Sequence, residues 1–203
     1  MKGKMLFAVA VMVLAIGLLG APATWANSLT FQNVTFNMTL NASGNLALNV
    51  VNALNANGDW AGIDHLKAFQ INNYGNASGL SATDNTGQGI TWSTVPGGLS
   101  ASGAGGCNGS GGGSCFSSSP FLTLTNNFTI TIAKGSGAFN LGLLDAESGK
   151  VGPHLKVFFQ GADQGDGHGN LLSKNVGVPE PASLMLLGAG LAGIGIWRRK
   201  SIK

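Results

Sequence analysis

Val34-Thr35-Phe36-Asn37-Met38-Thr39-Leu40 alternates apolar and polar side chains at every step. That is the period of a strand with one buried face; a helix would bring apolar residues round every third or fourth position. Asn41-Ala42-Ser43-Gly44-Asn45 follows as a run of turn formers, and the alternation resumes at Leu46, Leu48 and Val50. The three pieces read as a β-hairpin with a five-residue loop.

The same pattern recurs downstream. Asn55 to Trp60 is a second turn region, Leu66–Ile71 the next strand, 72–88 a polar loop, and Ile90–Trp92 a short strand. Phe121–Thr125 and Phe128–Ile132 flank Asn126-Asn127 as a second candidate hairpin, and Phe139–Leu144 and Leu155–Phe159 add two strands. About seven or eight short strands and no long helical pattern predict an all-β fold, a single β-sandwich or jelly-roll-like domain. His65-Leu66-Lys67-Ala68-Phe69-Gln70 is echoed by His154-Leu155-Lys156-Val157-Phe158-Phe159-Gln160. The separation is too long for a solenoid repeat, so the echo reads as two similar strands, paired or symmetry-related. A shared metal site on the two histidines is the sharper alternative, and it would need further ligands from the fold.

Both ends of the chain carry addresses. Lys2 and Lys4 precede an apolar run from Met5 to Leu19 and then small residues, the pattern of a secretory signal peptide in 1–26. Cleavage is expected after Ala26; Ala23 also satisfies the small-x-small rule, but Pro22 beside it fits a peptidase groove poorly. At the other end, 178–203, Val178-Pro179-Glu180-Pro181 leads into an apolar helix over Ala182–Trp197 and then the basic stop Arg198-Arg199-Lys200. Sixteen residues at about 1.5 Å each give roughly 24 Å, so the segment spans a ~30 Å hydrocarbon core only with thinning or snorkelling. The basic cluster stays cytoplasmic by the positive-inside rule, which puts 27–177 outside the cytoplasm.

Between the two ends, 27–177 holds five lysines, no arginine and seven acids, a net charge of −2. The formal +3 of the whole chain therefore comes from its ends and gives no reason to expect nucleic acid as a partner. The Gly-rich run from Gly97 to Phe116 contains the only two cysteines, Cys107 and Cys115. Outside the cytoplasm a disulfide is the default for such a pair, with free thiols or a metal pair as the alternatives.

The tail, Pro179-Glu180-Pro181 followed by a Gly/Ala/Leu helix and Arg198-Arg199, resembles the PEP-CTERM sorting signal. That resemblance implies recognition by exosortase, a membrane protease-transpeptidase of Gram-negative bacteria. It also implies an inner-membrane precursor, cutting near the Pro-Glu-Pro triplet, and delivery to the cell surface, the biofilm exopolysaccharide matrix or the medium. Trp92, Gly97-Gly98-Leu99-Ser100-Ala101-Ser102, the two-cysteine glycine loop, His154-Leu155-Lys156 and Leu171-Leu172-Ser173 resemble an ectodomain that recurs with such tails. No enzymatic role comes with it.

Catalytic motifs are thin. The glycine loop lacks a Gly-Lys-Ser/Thr, and no Gly-x-Ser-x-Gly elbow leads from strand to helix. Asp145 and Glu147 would share one face of an extended strand, whereas a glycosidase needs its carboxylates across a cleft. Asp163, Asp166 and Asn170 lie on a glycine-rich loop that suits Ca²⁺, though an Asp/Gly/Asn turn explains it equally well. Six Asn-x-Ser/Thr triplets, at Asn33, Asn37, Asn41, Asn76, Asn108 and Asn127, read as chance in so Asn- and Thr-rich a chain. The expectation is an exported, non-enzymatic surface or matrix protein without a cofactor. The alternative is a carbohydrate-binding module using Trp60, Tyr74 and Trp92 as a stacking platform. Ice binding through Thr123/Thr125 and Thr129/Thr131, or a secreted hydrolase, ranks below both.

Overall fold

The opening alternation becomes strand β2, Val34–Leu40, and the residues after its turn become β3, Leu46–Val51. They pair antiparallel from Thr35↔Val51 to Leu40↔Leu46, so Asn41–Asn45 is the five-residue loop the sequence predicts. Asn41 makes that loop: its Oδ1 accepts the backbone N–H groups of Ser43 and Asn45, both at 3.0 Å. The structure is a computed structural model and describes residues 27–100, 106–143, 151–161 and 171–177.

Eight further strands complete two antiparallel sheets: β1 Asn27–Phe31, β4 Ile63–Asn72, β5 Ser81–Asp84, β6 Thr91–Ser100, β7 Gly106–Thr123, β8 Asn127–Ala133, β9 His154–Gly161 and β10 Leu171–Asn175. One sheet runs β1-β2-β3-β8-β5, the other β10-β9-β4-β7-β6. They pack face to face as a β-sandwich. Val34, Phe36, Met38, Leu48 and Ile130 from the first sheet meet Leu66, Phe69, Phe116, Leu155 and Phe159 from the second in one buried cluster. Trp60 closes one end of the core. It is fully buried and meets Phe31 and Phe159 edge-on, with ring centroids 5.1 and 5.0 Å away. Among the described residues the helical turns are two short 3-10 pieces, Ala53–Asn55 and Gly58–Trp60. None is long and apolar enough to cross a membrane. The expected signal helix and transmembrane helix lie outside the described residues.

Three sequence expectations are corrected. Phe121–Thr125 and Phe128–Ile132 are not a hairpin: β7 belongs to the second sheet, while β8 pairs with β3 and β5 in the first. Residues 124–126 carry the chain across the sandwich, and alternation alone cannot separate such a crossover from a hairpin, because both keep one apolar face inward. Phe139–Leu144 is not a strand within the described residues. Phe139 forms a single bridge to Gly75, and Ser136 another to Ser78, so the two segments touch without a ladder. The glycine run is not a free loop either: Gly106–Phe116 is the first part of β7, paired to β6. Strands β1, β5 and β10 carry too few large apolar residues to announce themselves.

The His-Leu-Lys echo is structural. Strands β4 and β9 are adjacent and antiparallel, with Leu66↔Phe159, Phe69↔Val157 and Ile71↔Leu155. Antiparallel pairing places His65 opposite Gln160 at one end and His154 opposite Asn72 at the other. The two histidines therefore share no metal site, a correction to the sharper reading.

Candidate functional site

Sequence reasoning points to the chain ends as the functional part, and the sandwich brings its own two ends together. Ser28, in the first described strand, bridges Gly177, the last described residue, and the Ser28 N–H donates to the Gly177 carbonyl at 3.1 Å. Beside this bridge, Asn27 is fully buried, with its Nδ2 donating to the Leu141 carbonyl at 2.9 Å and its Oδ1 buried without a partner. Val176 is fully buried too, its N–H donating to the Pro153 carbonyl at 2.9 Å. Gly152 allows the packing, since a Cβ there would lie 2.3 Å from the Val176 carbonyl oxygen and 3.0 Å from Asn27 Nδ2. The processing residues themselves, Ala26, Pro179, Glu180, Pro181, Arg198, Arg199 and Lys200, lie outside the described residues. Asn27, next to Ala26, and Gly177, two residues before Pro179, are described.

The second feature is the glycine ribbon. Cys107 and Cys115 form a disulfide, with Cα atoms 5.6 Å apart. Along β6, only Gly97 separates Pro96 from Gly98; on β7 their partners Ser114 and Gly109 are separated by residues 110–113. The extra residues bulge out and the disulfide ties the base of the bulge. The ribbon lies on the outer face of the second sheet, where Leu99 and Cys115 pack with Ala68 and Phe158 in a second buried cluster. Gln70, fully buried in β4, pins it: its Oε1 accepts the Leu99 N–H at 2.5 Å and its Nε2 donates to the Gly112 carbonyl at 2.6 Å. Nε2 also donates to Asn72 Oδ1 at 2.6 Å. Glycine is required where the backbones meet. A Cβ on Gly113 would fall 2.5 Å from the Ile71 carbonyl oxygen, at a φ of +96°.

The stacking platform does not exist. Trp60 is fully buried and Trp92 is nearly so, packed edge-on against Phe69 at 5.3 Å. Tyr74 is half-buried, its hydroxyl on Ser114 Oγ at 2.7 Å and its ring against Phe139. Large aromatics in a small sandwich go to the core because burying their area stabilises it most. The two Thr pairs are likewise separated: Thr123 ends β7 in one sheet, while Thr129 and Thr131 lie on β8 in the other. A shallow depression of about 370 Å³ lies against Gly75, Asn76, Ala138, Asn140 and Leu143 and offers no titratable group from its lining. Asp163, Asp166, Asn170, Asp145 and Glu147 lie outside the described residues. Among the described residues no group of three His, Cys, Asp or Glu side chains comes together. Several triplet asparagines act on the backbone: Asn76 Oδ1 accepts the Ala138 N–H at 2.9 Å, and Asn127 Oδ1 the Asn52 N–H at 3.1 Å.

Asp84, which the sequence did not single out, links the two sheets at their β5–β6 edge. Its Oδ2 accepts the Trp92 indole N–H at 3.1 Å, and its Oδ1 accepts both the hydroxyl and the N–H of Thr86. Partial burial pushes this carboxyl up, but the hydrogen bonds from Thr86 and Trp92 outweigh it and hold the group below its ordinary value. A depressed carboxylate stabilises the fold above its unfolded pKa of about 3.9, and that stability is lost as pH falls through the folded value. The melting midpoint of the chain should therefore drop on acidification below about pH 4, and Asp84→Asn should flatten part of that drop. An unchanged acid slope in Asp84→Asn would show that the carboxylate contributes nothing there.

Gln70 and Asn27 are the other residues that sequence reading missed. The signal for Gln70 was present, a polar residue in an otherwise apolar stretch, but its partners are remote in sequence. Comparison with known proteins gives one positive finding: residues 177–200 match the family model for the PEP-CTERM protein-sorting motif. No curated protein and no solved structure matches the chain. The match begins at Gly177, the residue bridged to Ser28. The chain thus carries a PEP-CTERM protein-sorting motif, set directly behind the last bridge of a β-sandwich.

Proposed function

We propose that this chain is an exported, non-enzymatic protein of the cell surface or exopolysaccharide matrix, delivered there by exosortase processing at its tail. The motif itself implies an exported, exosortase-processed precursor. The observation that carries the proposal further is the placement of the motif. The last bridge among the described residues is at Gly177, so cutting near Pro179-Glu180-Pro181 leaves every described strand and core residue on the released side.

A carbohydrate-binding reading is kept, moved from the aromatic residues to a different surface. The outer face of the first sheet carries Thr30, Thr35, Asn37, Thr39, Asn49, Thr83, Thr129 and Thr131 and has no charged residue on any of its five strands' outward positions. Register brings Thr39, Ala47, Thr131 and Thr83 into one row, and Asn37, Asn49 and Thr129 into the next. Hydroxyls and amides at strand spacing, about 4.8 Å, suit a neutral polysaccharide, which offers hydroxyls and no charge.

One experiment tests both. In cells with the sorting protease, the chain should be found outside the inner membrane with an intact mass lacking the tail; without it, the tail should remain and the chain stay with the membrane. Unchanged mass and location would remove the sorting reading. If the outer face holds the matrix, Thr39→Lys with Thr131→Lys should shift the processed chain from the polysaccharide fraction to the medium. Full retention of that variant would remove the carbohydrate reading while leaving sorting intact.

A further inference from the structure

We propose that the outer face of the second sheet binds an acidic polysaccharide, with Lys67 as the partner of a sugar carboxylate and Phe121 as the surface on which the sugar rests. This rests on the reading of the chain as a surface or matrix protein, and it concerns the face opposite the neutral one described above.

Charge is divided unequally between the two sheets. The strands of the first hold one aspartate, Asp84, and no lysine; those of the second hold Lys67, Lys156 and Lys174 against the single acid Asp64. Asp64 is already engaged, its Oδ1 lying 2.6 Å from Nδ1 of the adjacent His65. Strands β6, β7, β9 and β10 contain no acid. The exported part is net negative as a whole, so this local excess of cations comes from the fold and not from the composition.

The backbone is bent to present Lys67. Leu66 pairs with Phe159 and Ala68 with Phe158, so Lys67 is an extra residue, a β-bulge in the central strand of the sheet. On its other side, β7 places residues 118–121 between Ser117, opposite Ala68, and Leu122, opposite Leu66. Leu66 and Phe69 belong to the inner core and Ala68 to the outer cluster, which puts Lys67 and Ala68 together on the outer side. Ser118 is buried and braces the bulge, its hydroxyl 3.0 Å from the carbonyl oxygens of both Leu66 and Lys67. Bulges of this kind re-aim a side chain. Here the Lys67 ammonium stands over the rings of Phe121 and Phe158, 5.1 and 5.6 Å from their centroids. The rings attract the charge and fix its place, and they supply no counter-anion.

Phe158 is buried, but Phe121 is 40% exposed and is the one exposed aromatic ring among the described residues. A sugar ring offers a face of C–H groups to such a surface and keeps its polar groups at the rim. Aromatic carbon beside a cation therefore matches a sugar that bears a carboxylate. Beyond Phe158, the outward positions of β9 carry Lys156 and then His154, about 7 Å apart at strand spacing. The His154 ring lies 2.8 Å from Ser173 Oγ and 3.0 Å from Asn175 Oδ1 on β10. A polymer laid along β9 meets a second cation and further hydrogen-bonding groups in turn. A membrane does not fit the proposed route, because loss of the tail takes the chain away from it. A nucleic acid carries a phosphate at every nucleotide and is held by longer rows of cations than three lysines make.

The test uses the processed chain recovered from cells that contain the sorting protease. Affinity electrophoresis compares polygalacturonate with its fully methyl-esterified form, with dextran and with DNA; co-sedimentation tests phosphatidylglycerol vesicles. Polygalacturonate should retard the chain, the ester and dextran should not, and added salt should weaken the effect. Lys67→Met and Phe121→Ala should each weaken binding at least about tenfold. Lys67→Arg should keep most of it, and Lys134→Met, just past β8 of the other sheet, should change nothing. Melting curves by circular dichroism check each fold, and Phe121→Ala, at an exposed ring, carries the test if Lys67→Met does not fold. No retardation by polygalacturonate, equal retardation by the ester, or undiminished binding by folded Phe121→Ala would overturn the proposal. Stronger binding to DNA or to vesicles than to polygalacturonate would assign the face to another partner and overturn it as well. A chain that fails in any of these ways yet loses its tail and leaves the membrane keeps the sorting reading; only failure of those two steps strikes that reading.

Discussion

Trp60→Ala should destabilise the sandwich by about 3–5 kcal/mol, the largest effect expected of any single substitution at a described residue. Among the described residues Trp60 is the largest fully buried side chain. It stands where the two sheets and the 3-10 turn Gly58–Trp60 converge, with Phe36 edge-on at 6.0 Å in addition to Phe31 and Phe159. Truncation removes the transfer energy of the indole and leaves a cavity. The ring edges around it lose their quadrupole partners as well. Against a total stability of about 5–15 kcal/mol for a domain, that loss is a large share. Chemical denaturation of the exported chain, followed by circular dichroism, measures it. A loss below about 1 kcal/mol would mean that the neighbours collapse onto the site, or that Trp60 is not the plug of this core. The same residue was a candidate sugar platform. Its removal should act through stability alone, with any glycan binding unchanged in the fraction that remains folded.

Replacing both Cys107 and Cys115 by Ala should cost about 2–3 kcal/mol, the chain-entropy value for so short a closed segment. The effect should be local as well as global. The ribbon holds down Leu99 over Ala68 and Phe158, so its release exposes apolar area on the outer face of the second sheet. Gln70→Leu attacks the same ribbon from below. It leaves the Leu99 N–H without its acceptor, at about 1–3 kcal/mol. Because both changes act on one bulge, their combination should cost less than the two losses added together: once the ribbon has lifted, Gln70 has nothing left to hold. Strict additivity in the combined variant would show that disulfide and amide act on separate parts of the fold. Hydrogen exchange at Leu99 offers a second readout, and should rise in either variant.

Much of this protein is written locally in its sequence. The Val34–Val50 hairpin is set by apolar alternation and by an Asn-Ala-Ser-Gly-Asn turn whose first residue bonds its own loop, so neighbours in sequence are the partners in space. The sorting motif is likewise a linear address, read from residues in strict order and matched as such. The cysteine pair needed little more than its compartment. Only the tertiary structure decided which strands share a sheet. It sent β7 and β8 to opposite layers, turned two tryptophans inward, and set the two echoing histidines at opposite ends of adjacent strands. It also bound Ser28 to Gly177 and left Asn27 Oδ1 without a partner. Alternation states which side of a strand is apolar, but carries no information on which distant strand will cover it. That choice belongs to packing between residues far apart in sequence, as where β3 pairs β8 and β4 pairs β9.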